Sequence, residues 1–187
     1  MVSDDFLLTR FVASFGAADD LTTLGDIPPD LVTAERSPLG FPKWRPSAIQ
    51  TERKAIEELY TTIPGPFPTL YEKLVLGFRW LDIYLCDDLM LFANPPSPSL
   101  LGLRDRILSD AFLVGVLFPR FLVPFGRAGD SYDQVCFDLT QRSADGDCKI
   151  VRVEHEAVLC EGTIGDVWEV YESFRSLVNS FVPSDRP

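Results

Sequence analysis

The 187-residue chain holds one histidine, four scattered cysteines and fewer basic than acidic residues, 17 Lys and Arg against 28 Asp and Glu. Each shortage excludes something. A net charge of −11 leaves no basic stripe to neutralise phosphates, so no nucleic-acid partner is expected. Cys86, Cys136, Cys148 and Cys160 form no CxxC pair and no dense framework, and they read as reduced thiols in a cytoplasm. The first residues, MVSDDFLLTR, carry Asp4 and Asp5 where an export signal carries Lys or Arg, and Gly16, Asp19 and Asp20 break the chain soon after. The most apolar stretch, Phe112 to Phe125, is broken by Pro119, Arg120 and Pro124 and is too short to span a bilayer. It reads as a buried strand pair, and no membrane partner is expected.

With 46% apolar and 24% charged residues, the composition is that of a globular protein. One domain is the expectation at this length, and folding it should bury roughly 70% of the extended surface. Residues 1–46 contain Pro28, Pro29, Pro38, Pro42 and Pro46 without sustained periodicity. They read as a short helix, Phe6 to Phe15, and an irregular arm. Residues 47–187 form the remaining unit. Ser47 and Gln50 make an S-x-x-Q capping box for a helix carrying Ile49, Ile56, Leu59, Tyr60 and Ile63 at helical spacing. A second helix is expected from about Thr69 to Leu76, stopped by Gly77. Leu81, Ile83 and Leu85 alternate as in a half-buried strand. Ser99 can cap a third helix reaching about Ala111.

Val135, Phe137 and Leu139 alternate, Ile150, Val151 and Val153 form a short run, and Ala157 to Cys160 forms another. Asp145-Gly146 lies between the first two and predicts a hairpin, because tight turns need positive φ. Val135, Phe137 and Leu139 should then face a final helix. That helix is expected to start at an Asp166 cap and to carry Val167, Val170, Tyr171, Phe174, Leu177, Val178 and Phe181 as one stripe. The pattern is α+β.

Candidate chemistry is sparse. Cys136 or Cys160 with His155 could form a thiol nucleophile and base, the arrangement of a small thiol-dependent hydrolase, but no glycine-rich elbow accompanies them. Cys136, Cys148, His155 and Cys160 lack the close pairs that zinc sites use, so no metal is expected. Asp130, Asp133, Asp138, Asp145 and Asp147 lack the EF-hand spacing, and the GRAG segment from Gly126 to Gly129 lacks the third glycine of a phosphate cradle. No cofactor is implied. From Gly129 to Pro187 there are twelve Asp and Glu against five Lys and Arg, a net of −7. This density marks an acidic face able to steer a basic protein partner.

Three segments carry a family likeness: FGRAGDSYDQVCFDL (Phe125 to Leu139), GDCKIVRVEHEAVL (Gly146 to Leu159) and SFRSLV (Ser173 to Val178). In these the chain resembles the SUKH superfamily, in its bacterial branch related to yeast cell-wall synthesis regulators, over roughly residues 47–181. The resemblance implies helices packed on a largely antiparallel sheet. It also implies a non-enzymatic role in protein binding, as an immunity protein that neutralises a toxin domain or as an intracellular regulator. The long proline-rich arm and the absence of Asn-Gly after the second helix depart from the common pattern. Asp130, Asp133, Glu154 and Glu156 flank the motifs and are expected to form the partner-binding face. A scaffold subunit self-associating through residues 1–46 is a further reading.

Overall fold

The computed structural model describes residues 3–15, 21–23, 25–86, 89–129 and 131–182. Ser3 caps α1 (Asp4–Ser14) by accepting from the Phe6 N–H at 3.3 Å, and Asp4 and Asp5 in the first turn suit the positive end of the helix dipole. The stretch expected to be irregular contains an antiparallel pair, β1 (Val32–Arg36) with β2 (Pro42–Trp44). β3 (Ser47–Ala48) comes next, so Ser47 does not cap a helix. Just beyond it, the Ile49 and Thr51 amides donate to the Gly77 and Leu76 carbonyls, satisfying the open end of another helix. The helix expected at Ser47 therefore begins later, as α2 (Arg53–Tyr60).

α3 (Thr69–Gly77) and the short strands β4 (Phe78–Arg79), β5 (Ile83–Cys86) and β6 (Leu89–Leu91) come after it. The helix expected from Ser99 to Ala111 is divided into α4 (Leu101–Ile107) and α5 (Ala111–Leu117). Ser99 itself lies in a 3-10 turn with φ 48, and Asp110 caps α5 by accepting from the Leu113 amide at 3.0 Å. The apolar run from Phe112 to Phe125 is thus not a strand pair. It is α5, a 3-10 turn and the start of β7 (Leu122–Arg127). The chain continues with β8 (Gln134–Arg142) and β9 (Cys148–Val153), then β10 (Val167–Tyr171) and α6 (Phe174–Phe181).

Two expectations fail in this last part. Ala157–Glu161 is a π-helical turn closed by Gly162 at φ +67, not a strand. The single final helix is a strand and a helix, because Ser173 caps α6 by accepting from the Ser176 amide at 3.0 Å.

The main sheet is six-stranded and antiparallel, in the order β10-β9-β8-β7-β6-β5. With its helices it makes an α+β fold. One face carries Val123, Phe125, Val135, Phe137, Leu139 and Ile150 into the main core beside residues of α1, α2, α3 and α6. Phe125 and Phe137 stack at 4.0 Å, and Tyr71 and Phe174 meet Phe137 at 4.9 and 5.9 Å. The other face carries Leu122, Cys136, Val151 and Val153 against Leu113 and Leu117 of α5 and Val158 of the π turn. Among the described residues no helix is long and apolar enough to cross a membrane.

The β8–β9 hairpin turns where the sequence indicates, with Gly146 at φ +82. A Cβ there would lie 2.7 Å from Thr69 Oγ1. Both the conformation and the contact oppose a side chain. Gly146→Val is therefore expected to cost about 1–3 kcal/mol, read as a lower urea midpoint with an unchanged slope.

Candidate functional site

The loop between β7 and β8 closes on itself through the Ala128 amide, which donates to the Asp133 carbonyl at 2.9 Å. This brings Asp133 beside the end of β9. Its Oδ2 accepts from Arg152 Nε at 2.7 Å, and its Oδ1 accepts from the His155 backbone N–H at 3.0 Å and pairs with His155 Nδ1 at 2.7 Å. Arg152 also donates to Ser131 Oγ at 3.1 Å. Asp133 is only 5% exposed. Burial by itself would raise its pKa, but the hydrogen bonds from the His155 ring, the His155 amide, Arg152 and Ser131 outweigh it and hold the carboxyl at about 2. An ionised carboxylate only accepts, so Nδ1 carries the hydrogen toward Asp133 and a neutral ring presents Nε2 away from it.

A buried carboxylate orienting an imidazole is two parts of a nucleophilic triad. Among the described residues no thiol joins them as the third. Cys136 is fully buried on the α5 side of the sheet and Cys160 is exposed on the π turn. Among the described residues neither thiol is within hydrogen-bond reach of the ring, whose partner is Asp133. Burial pushes the Cys136 thiol well above its ordinary pKa and the Cys148 thiol up to about 12. Among the described residues no three His, Cys, Asp or Glu side chains converge as metal ligands.

The four residues expected to share an acidic face are placed differently from one another. Asp133 is inside, its charge engaged by Arg152 and His155. Glu154 is half-buried, Glu156 is exposed, and Asp130 lies outside the described residues. Besides Glu156, the exposed carboxylates among the described residues after Gly129 are Asp145 at the hairpin turn and Glu161, Asp166, Glu169 and Glu172. Three of these lie on or beside β10, an edge strand of the sheet. That strand also exposes Val167 and Trp168 at 45% each and Val170 at 39%. Sequence periodicity assigned Val167 and Val170 to a buried helical stripe. The run of β-branched and aromatic residues in VWEVY, ahead of a capping Ser173, was the available sign of a strand.

The aromatic surface continues from the edge to the loop. The Arg152 guanidinium lies 5.9 Å from the Trp168 ring, and Arg127 lies 5.2 Å from that of Tyr132, which is 65% exposed. A separate groove beside α1 and α3 contains Arg53 and Lys73. Those cations are already held by Glu72 at 2.9 Å and Asp4 at 2.7 Å. It offers less to a partner than the β10 side. No family model, curated protein or solved structure matches the chain.

The geometry fixes a pH response and an order of thiol reactivity. Because the folded Asp133 titrates below the ordinary 3.8, its ionised form stabilises the fold above about pH 4, and that contribution disappears as pH falls through about 2. Asp133→Asn should therefore lower stability by about 2 kcal/mol at neutral pH. Urea titrations repeated down to pH 2 should show the gap from wild type closing. In alkylation of the folded protein, Cys160 should react first, and Cys136 and Cys148 should be modified only on unfolding.

Proposed function

We propose that this chain is a non-enzymatic protein-binding domain, an immunity protein or intracellular regulator, working in the cytoplasm against a partner with a basic contact surface. A toxin domain is the partner that the resemblance to SUKH proteins implies. The observation that carries the reading is β10, where three exposed apolar side chains stand among the exposed carboxylates Asp166, Glu169 and Glu172. Exposed carboxylates of one sign raise the encounter rate with a basic surface. Burial of Trp168 and its apolar neighbours would then prolong the complex, since aromatic anchors dominate such interfaces. The Asp133 cluster serves this reading as an internal brace, not as a contact.

Co-expression of the chain with the products of the neighbouring reading frames tests it. One of them should co-elute as a stable complex. Its association rate should fall as salt shortens the Debye length from about 30 Å at 0.01 M to about 8 Å at physiological strength. Glu156→Lys with Glu161→Lys should slow association several-fold without lowering the melting temperature, and Trp168→Ala should weaken the complex by about 2 kcal/mol or more. A complex that forms equally fast at both salt concentrations and in the charge-reversed variant would remove the acidic surface from the mechanism.

A further inference from the structure

Among the described residues β10 has a neighbouring strand on one side only. The register pairs Val167 with Val153, Trp168 with Arg152 and Glu169 with Val151, and the Glu154 amide donates to the Asp166 carbonyl at 3.0 Å. Antiparallel pairing alternates between residues that exchange backbone hydrogen bonds and residues that do not. Asp166 and Trp168 therefore turn their backbone groups toward β9, while Val167 and Glu169 turn theirs away. Among the described residues nothing pairs with those outward N–H and C=O groups.

Edges of this kind are normally guarded by lysine, proline or a covering segment, because they template further strands. The sequence Val167-Trp168-Glu169-Val170-Tyr171 has no lysine and no proline. Its one irregularity is the register shift between Glu169 and Tyr171. We propose that β10 is a strand-addition site, at which an extended partner segment alternating Lys or Arg with apolar residues pairs with the outward groups of Val167 and Glu169 and lengthens the sheet.

Charge selects the occupant. Asp166, Glu169 and Glu172 are exposed at every third position. Among the described residues only Glu169 of the three has a cation within ion-pair distance, Lys149 at 2.7 Å. A second copy of the chain brings the same carboxylates to the edge. Antiparallel self-pairing centred on Glu169 sets Glu169 against Glu169 and Asp166 against Glu172, and like charges directly opposite are destabilising. A basic strand that sets Lys or Arg opposite Glu169 reverses the sign of the contact on that face. Main-chain bonds supply attachment and the alternate side chains supply selectivity, as in other strand-addition complexes.

The inference rests on the protein-binding reading but is tested separately from it. The probes are a synthetic peptide of about nine residues alternating Lys with Val and Thr, and its counterpart with Glu in place of Lys. The readout is residue-resolved amide exchange in the whole chain. In the free protein the Trp168 amide should exchange slowly and the Val167 and Glu169 amides fast. The basic peptide should slow Val167 and Glu169 by roughly tenfold or more, and the acidic peptide should not. Val167→Pro removes an outward donor and leaves the β9 ladder intact, so it should abolish the peptide effect with little change in melting temperature.

Binding of the basic peptide without slower exchange at these two amides would overturn strand addition, as would no binding at millimolar peptide. Equal protection by the acidic peptide would overturn the charge selection. Slowing that rises with protein concentration, without peptide, would make the occupant a second copy. If a full-length partner binds the Val167→Pro variant unchanged, the edge is refuted while protein binding stands. If the basic peptide protects the edge but no neighbouring gene product binds, the proposed biological role fails while the site stands.

Discussion

The placement of the last third of the chain depends on one buried carboxylate. Asp147, 8% exposed at the start of the second hairpin strand, accepts from the Cys148 and Phe174 amides through Oδ1 at 2.9 and 3.0 Å, and from the Arg175 amide through Oδ2 at 3.1 Å. Two of these donors belong to the first turn of α6, whose amides have no partner within the helix. Ser173 caps the same turn from within. α6 must therefore begin at Phe174, and the residues before it are held out of the helix. They take the remaining place on the sheet, beside β9. Removing the Asp147 carboxylate would leave buried amides unpaired, a penalty that falls on the junction of hairpin and helix.

From that anchor the core extends through a chain of ring contacts. Phe174 enters the aromatic group at 5.1 Å from Tyr71 and 6.2 Å from Phe125. Phe11 of α1 then packs edge-on to Phe174 at 6.3 Å and reaches Phe181 at the same distance. Asp4, at the start of α1, bonds both Lys73 of α3 and Arg175 of α6 at 2.7 Å, which holds its carboxyl below the ordinary range. The residues in these ion pairs are partly in water, so their contribution is small beside that of the buried rings. The N-terminal helix is consequently a wall of the core, seated across α3 and α6.

What the sequence made legible was local and strongly patterned. Asp145-Gly146 identified its hairpin because only a residue comfortable at positive φ closes so tight a turn, and the alternation of Val135, Phe137 and Leu139 identified the core face of β8. Two other readings failed for one common reason. The stripe from Val167 to Phe181 fits one helix and the apolar run from Phe112 to Phe125 fits a strand pair, and apolar patterning does not detect a cap inside or beside the run. Ser173 and Asp110 are those caps, and Asp147, distant in sequence, completes the first. Ser47 shows the converse, a good capping pattern overridden because α3 needed amides at its open carbonyl end. The acidic character of the region was visible in composition. That Asp133 would turn inward depended on Arg152 and His155 arriving from another part of the chain.

Asp133 nevertheless affects the surface. Arg152 is the residue of β9 directly opposite Trp168, and its guanidinium is shared between the buried carboxylate, Ser131 and the Trp168 ring. A guanidinium pinned by an ionised partner has little rotamer freedom left. The ring beside it therefore stands on a fixed platform, although Trp168 itself is half in water. Loss of the Asp133 charge would remove one anchor of the guanidinium beside the indole, without any change in the edge strand's own sequence. An exposed aromatic that is already held in place loses less entropy on binding than a free one. The inward turn of Asp133, which removes its charge from the acidic face, thus prepares the apolar part of the same surface.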